Sequence, residues 1–126
     1  MCCGDGWYNI LDRMCRLIQN HIDHSYKQIK WNTEWNARVN DPDHEWTAFV
    51  AREERPIPEP VEQVIAIQVK EKFGGLRFYY SGGDDTIRGI VYMAEEMSYV
   101  TCEECGSPGK PNDGPWIRTL CEEHTK

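Results

Sequence analysis

Four metal-ligand residues near the end of the sequence constrain its fold more than any other feature. Cys102 and Cys105 are separated by two residues and followed by Gly106, a spacing that lets one tight turn direct two thiolates at one ion. After fifteen intervening residues, Cys121-Glu-Glu-His124 repeats that spacing with imidazole as the fourth ligand. Three thiolates and one imidazole predict a single structural Zn²⁺ ion with no open coordination position.

Two other interpretations of this pattern stay open, namely a pair of unrelated cysteine motifs and a redox Cys-x-x-Cys pair. A redox pair leaves Cys121 and His124 unexplained, and Cys102 does not open a helix after a buried strand, as that motif requires. A catalytic zinc ion needs an open position, which four protein ligands do not leave. The ion is therefore expected to contribute to folding rather than to chemistry.

Length and composition predict one soluble intracellular domain. A chain of 126 residues corresponds to about one domain, so residues 1–126 are expected to fold as one unit. No apolar run approaches the roughly 18 residues of a membrane span, and the first residues do not have the pattern of a signal peptide. Cys2 and Cys3 are adjacent, and three other cysteines cluster with a histidine, which fits a reducing compartment better than a disulfide framework.

Two amphipathic helices are predicted from apolar residues that recur at three- and four-residue steps. The first lies in the N-terminal segment 1–30 and is expected to end between His24 and Lys30. The second begins at Asp84 or Asp85, either of which can cap its first turn.

A β-hairpin over residues 63–81 is predicted from alternating side chains. Ile65 and Ile67 are assigned to the same face as Val69, which is taken to be the core face. Gly74-Gly75 is expected to supply the positive φ angles of a two-residue turn.

The predicted fold class is α+β. A small antiparallel sheet, formed by the central hairpin, is packed by two helices and followed by a zinc-knuckle or treble-clef-like segment. The chain divides into an N-terminal helix (1–30), an irregular excursion with a short helix at 44–53 (31–60), the hairpin and second helix (61–100), and the zinc-binding segment (101–126).

Four stretches of the sequence resemble a family of small, largely uncharacterised phage, prophage and bacterial proteins. These stretches are GWYNILDRMC, VIAIQVKEKFGGLRFYY, CEECGSPG and WIRTLCEEH. The resemblance covers residues 4–30 and 62–126, and the hairpin motif is its most specific part. It implies a zinc-containing phage or bacterial accessory protein in the cytoplasm of a bacterial host cell, and it implies no activity for individual residues.

The excursion 31–60 is the predicted surface for a protein partner. Tryptophan is enriched in interface hot spots, and acidic side chains can occupy the basic groove of a partner. The alternative is that the tryptophans of the excursion, Trp31, Trp35 and Trp46, fill the core. With the net charge of −7, the first expectation is a non-enzymatic accessory protein that binds a host protein and inhibits a defence or housekeeping system. The candidate partner-binding residues are Trp31, Trp35, Asp41, Asp43, Glu45 and Trp46.

The hairpin supplies the alternative function, which is binding of nucleic acid or a nucleotide. Lys70, Lys72, Arg77 and Tyr79 combine cations with an aromatic ring, and alternation puts them on the strand faces opposite the core. The competing interpretation is an ordinary solvated sheet face. The acidic balance of the whole chain places this function second.

The remaining patterns are weaker. His21 and His24 have the helical spacing of two ligands to a shared metal ion. We interpret them as surface histidines near the end of the helix. The acidic run from Asp41 to Glu45 lacks the spacing and glycine of a calcium loop. No nucleophile elbow, phosphate-binding glycine loop or dinucleotide fingerprint is present, so no enzyme activity is expected.

Overall fold

The computed structural model describes residues 3–43 and 53–125. Its elements confirm the α+β class, with helices packed on a small antiparallel hairpin and a Cys/His cluster in the last segment. A single 3₁₀ turn at Asp5–Trp7 comes first. It is followed by α1 (Tyr8–Val39), β1 (Ile65–Lys72), β2 (Gly75–Ser81), α2 (Asp85–Ser98), β3 (Lys110–Pro111), β4 (Thr119–Leu120) and α3 (Glu122–Thr125).

Helix α1 is longer than the sequence pattern predicts. It continues to Val39, so the prediction of an end between His24 and Lys30 is wrong, and residues 31–39 are helical rather than irregular. The apolar stripe does fade after Ile22, but no glycine or proline occurs between Lys30 and Pro42 to stop the helix. The predicted short helix at 44–53 lies almost entirely outside the described residues.

The extended segment 53–60 packs along the second half of α1. Hydrogen bonds from asparagine side chains, rather than apolar contacts, join the two. The Asn32 side chain donates a hydrogen bond to the Pro56 carbonyl (2.9 Å). Asn36 both donates to the Arg55 carbonyl (2.8 Å) and accepts from the Arg55 N–H (2.7 Å). These side-chain amides satisfy backbone groups of the extended, proline-rich segment and tie it to the polar half of the helix.

The hairpin turns one residue earlier than predicted. Phe73 (φ 54°) and Gly74 (φ 82°) occupy the two central turn positions, both with the positive φ that a type I′ turn requires. Gly75 instead begins β2 opposite Lys72, where a side chain would overlap the ring of Tyr99. The second glycine is therefore needed for close packing rather than for the turn.

A β-bulge overturns the predicted core face of β1. The register shifts between Ala66 and Gln68, so that Ile65 is paired with Ser81. The extra residue reverses the alternation, and Ile65 and Ile67 are 63% and 69% exposed instead of buried.

The core lies where α1 and α2 meet β2. Its side chains come from the start and middle of α1, the inner face of β2 and the inner face of α2. The buried members are Trp7, Leu11, Met14, Ile18, Ile22, Leu76, Phe78, Ile87, Val91 and Ala94. Helix α2 begins as predicted, because the Asp84 side chain accepts a hydrogen bond from the Ile87 N–H (3.0 Å). Within the described residues, no helix combines the length and the apolarity needed to cross a membrane.

The first residues of the chain dock directly onto the Cys102–Cys105 turn. The Gly6 N–H donates to the Glu103 carbonyl (2.7 Å), and the indole N–H of Trp7 donates to the Thr101 carbonyl (2.9 Å). A side chain at Gly6 would overlap the carbonyl oxygen of Cys102. Glycine at position 6 is thus required by the contact between the start of the chain's first helical turn and the Cys102–Cys105 turn.

Gly6→Ala is expected to lower the free energy of unfolding by about 1–3 kcal/mol, since the added methyl group forces two backbones apart. Gly89→Ala is the matched control, because nothing lies within 4 Å of a methyl group there. Alanine in that helix should instead stabilise the fold by about 0.5–1 kcal/mol. Urea unfolding of both variants measures the difference, and an equal effect of the two substitutions would contradict the docking described above.

Candidate metal centre

Three short elements bring the four predicted metal ligands together. The Cys102–Cys105 turn is closed by a hydrogen bond from the Gly106 N–H to the Cys102 carbonyl (2.9 Å), and Gly106 leaves it with a φ of 82°. Cys121 directly follows β4, and His124 lies one turn later in α3. The strand that leads into Cys121 is short, since Thr119 and Leu120 pair with Pro111 and Lys110.

The distances within the cluster fit tetrahedral coordination. All four ligand atoms lie within 4.8 Å of one another. The Sγ atoms of Cys105 and Cys121 are 3.7 Å apart, and His124 Nδ1 lies 3.6 Å from Cys102 Sγ and 3.1 Å from Cys121 Sγ. A tetrahedron with metal–sulfur bonds of about 2.3 Å has sulfur–sulfur edges of about 3.8 Å. These four residues could therefore hold one metal ion with protein ligands alone.

The electrostatics of the cluster favour a cation at its centre. Burial acts to raise the pKa of Cys102, but hydrogen bonds from the backbone of Cys121, Cys105 and Glu104 outweigh it and lower the pKa to about 6. For Cys105, hydrogen bonds from Ser107 lower the pKa of the thiol. The His124 pKa is raised, chiefly by its hydrogen bond with Cys102. Adjacent thiolates repel one another, and a bound cation removes that repulsion.

A charged pair supports the Cys102–Cys105 turn from outside. Glu103 is buried, and its carboxylate accepts a hydrogen bond from the Gly4 N–H (3.1 Å) and lies 3.6 Å from the Arg118 guanidinium. Arg118 also pairs with Glu104, whose pKa is lowered by that hydrogen bond. The turn is also tied to the hairpin through Thr119. Its carbonyl accepts a hydrogen bond from the Glu103 N–H (3.0 Å), and its hydroxyl donates to the Gly74 carbonyl (2.6 Å).

The four predicted ligand-binding residues of the hairpin lie on one strand face. Lys70 is directly opposite Arg77, and Tyr79 is opposite Gln68, so these side chains share the face away from buried Leu76 and Phe78. The Lys70 ammonium lies 5.3 Å from the centre of the Tyr79 ring. Lys72 continues the same face of β1 toward the turn.

The predicted partner-binding residues are divided by the structure. Trp31 is 49% exposed on the outer part of α1, and Asp41 and Asp43 lie exposed just after the helix ends. Trp35 instead makes intramolecular contacts, with its indole N–H donating to the Glu53 carbonyl (2.8 Å) and the Arg55 guanidinium 4.0 Å from its ring centre. Glu45 and Trp46 lie outside the described residues.

The two histidines of α1 do not lie together at a metal site. His21 Nε2 is 2.8 Å from the carboxylate of Asp84, and this contact lowers the pKa of Asp84. The ring of His24 instead packs edge-on against Trp31, with 6.1 Å between the ring centres. His21 therefore joins α1 to the start of α2 and is part of the fold.

Sequence reasoning missed a hollow between the tip of the hairpin and the residues before β4. Phe73 at the tip of the hairpin and Trp116 and Ile117 before β4 line a shallow hollow with Glu71 and Pro115. Trp116 is 76% exposed. The positive φ of Phe73 could not be read from the sequence, because Gly74-Gly75 offered a turn with less strain.

Comparisons with family models, curated proteins and solved structures found no match to this chain. The resemblance to small phage and bacterial proteins therefore stays a prediction.

Loss of one residue of the Cys/His cluster is expected to loosen the contact between the start of α1 and the Cys102–Cys105 turn. Cys121→Ser should abolish stoichiometric metal binding and lower the melting temperature by more than about 10 °C, because several kcal/mol of stability are lost with a structural metal ion. Cys15→Ser is the control, since Cys15 is exposed on α1 outside the cluster. Metal content by mass spectrometry and thermal melting measure both effects, and full metal binding by Cys121→Ser would exclude this ligand set.

Proposed function

We propose that Cys102, Cys105, Cys121 and His124 bind one structural Zn²⁺ ion and that the chain is a non-enzymatic protein that binds a protein partner. Three thiolates and an imidazole in a compact set are the ligands that structural zinc sites use. Four protein ligands leave no position for substrate or water. The ion would supply rigidity to the Cys102–Cys105 turn, and through that turn to the start of α1 and the hairpin.

The observation that carries the protein-binding proposal is an exposed tryptophan on a rigid, acidic arm. We define the arm as residues 31–43 of α1 and its end, together with the extended segment 53–60 that packs on it. Hydrogen bonds from the side chains of Asn32 and Asn36 fix the extended segment to the helical part of the arm, so Trp31 is presented without a large ordering cost. Preorganised aromatic side chains of this kind are frequent hot spots.

The charge of the arm defines the chemistry of its partner. The arm carries six carboxylates and two guanidinium groups. One of the guanidinium groups, that of Arg55, is stacked on Trp35. The acidic residues are Glu34, Asp41, Asp43, Glu53, Glu54 and Glu59, and the basic ones are Arg38 and Arg55. A partner with a basic surface around an apolar pocket is the complementary match. The resemblance to phage proteins adds the expectation that this partner is a protein of the bacterial host.

A test of the arm compares two exposed tryptophans. The variant Trp31→Ala with Asp41→Asn and Asp43→Asn should lose capture of the partner from nuclease-treated host lysate, while Trp116→Ala keeps it. The captured protein is then purified, and its association rate is measured at rising salt, where the acidic arm should give a steep decrease. Equal capture by both variants, or an association rate independent of salt, would contradict the proposal.

A second candidate function is favoured by the cations on the hairpin, where the Arg77 guanidinium donates to the Tyr99 hydroxyl (2.8 Å) and Lys70 and Lys72 have no ion pair among the described residues. Lys70 and Arg77 are directly opposite each other, an arrangement of like charges that weakens a sheet. Among the described residues, no carboxylate lies within ion-pair distance of Lys70, Lys72 or Arg77. Cations left together beside Tyr79 suit a phosphate backbone with a base stacked on the ring. The ligand of this face would be a single-stranded nucleic acid.

Lys70→Gln with Lys72→Gln is expected to weaken binding of a labelled oligothymidylate by roughly tenfold or more. Two lost phosphate contacts should also reduce the slope of log affinity against log salt by about 1.4 for a single strand. The control is Lys27→Gln with Lys30→Gln, which removes the same charge from exposed positions of α1. Fluorescence anisotropy at several salt concentrations measures both variants, and an unchanged slope in the hairpin variant would remove this candidate.

A further inference from the structure

An open apolar groove lies between α1 and α2, and none of its lining residues belongs to the Cys/His cluster, the arm or the hairpin. Its volume is about 580 Å³. The apolar lining comes from both helices, and Leu17, Met93 and Met97 are 51%, 61% and 49% exposed. Methionine side chains adapt to irregular apolar ligands and are common on surfaces that receive helices. The principal lining residues are Ile10, Met14, Leu17, Ile90, Met93 and Met97.

We propose that this groove is a docking site for an amphipathic helix of a partner protein, with an acidic residue on that helix paired to Arg13. The proposal concerns a surface and a partner chemistry different from those of the arm, which is acidic and suits a basic partner. Binding at the groove can therefore be tested separately from binding at the arm.

Gly89 is the first observation that points to a helix as the occupant. It lies in the middle of α2 and lines the groove, where glycine destabilises a helix by about 1 kcal/mol relative to alanine. No contact within the described chain requires its small size, since a methyl group there would meet nothing within 4 Å. A missing side chain on a groove wall lets a second backbone approach closely, as at helix–helix contacts built on small residues.

The charge of the groove selects an acidic occupant. Arg13 is the one charged residue that lines it, and none of its lining residues is acidic within the described chain. Its nearest basic neighbour in sequence behaves differently, because Arg16 is paired with Asp12 (3.0 Å). Arg13 forms no ion pair among the described residues. A carboxylate on the guest helix would complete the polar edge of an otherwise apolar site.

The same charge argues against a second copy of this chain as the occupant. A two-fold contact brings the same surface of both copies together, so two grooves that carry arginine and no carboxylate would face each other. A partner helix with apolar residues at three- and four-residue steps and one acidic edge meets both the shape and the charge of the groove.

The experiment uses the zinc-loaded full chain and two designed helical peptides of about 20 residues. Both peptides carry leucine at positions i, i+3, i+7 and i+10 around a central alanine, and they differ only in having glutamate or lysine along one edge. Fluorescence anisotropy should show binding of the glutamate peptide at least about tenfold tighter than that of the lysine peptide. Arg13→Glu should reverse that preference.

Gly89→Leu fills the groove from its wall and is expected to weaken the glutamate peptide by roughly tenfold or more, with no loss of melting temperature. Tyr92→Leu is the matched control, because Tyr92 is exposed on α2 but does not line the groove. Equal affinity of the two peptides, or an effect of Tyr92→Leu as large as that of Gly89→Leu, would overturn the proposal. A dimer in light scattering that Gly89→Leu dissociates would also overturn it, since the occupant would then be a second copy.

Discussion

The contact between Gly6 and the Glu103 peptide is the interaction on which the rest of the structure depends. It joins the start of α1 to the Cys102–Cys105 turn, and Trp7 repeats the contact one residue later through its indole N–H. The same turn is bonded to Thr119, which in turn holds the hairpin at Gly74. Residues that are far apart in the sequence thus meet at one small turn, whose geometry the metal ligands define. A 126-residue chain with a modest core gains stability from such a closure.

The sequence predicted those parts of the fold in which local chemistry agrees with the final packing. The metal ligands are an example, because a two-residue spacing limits where two thiolates can point, and the structure brings all four side chains together. Asp84 is another, since a carboxylate before an apolar helical stripe serves the same capping role in most contexts. The sequence also predicts that Lys70, Arg77 and Tyr79 share a face. Side chains alternate regularly between the two faces of the hairpin on each side of the turn over these residues.

Predictions failed where distant contacts decide the local structure. Ile65 and Ile67 read as core residues, but one extra residue in β1 reverses their direction, and a bulge has no signature in an apolar run. The second half of α1 was assigned to an irregular excursion because its apolar period ends, although asparagine side chains and the segment 53–60 replace the missing core. Trp35, which stays a predicted partner-binding residue, also fastens that segment through its hydrogen bond to the Glu53 carbonyl. Polar packing of this kind cannot be inferred from periodicity.

The unbroken length of α1 has a further consequence. At 1.5 Å per residue its 32 residues form a rod of about 48 Å, and Leu17 and Trp31 are separated by about 21 Å along it. Two ligands attached at these positions would not collide, yet a single stiff element would fix their separation. A partner that contacted both positions would need two sites at that fixed distance, and binding at the first site would then raise the effective concentration at the second.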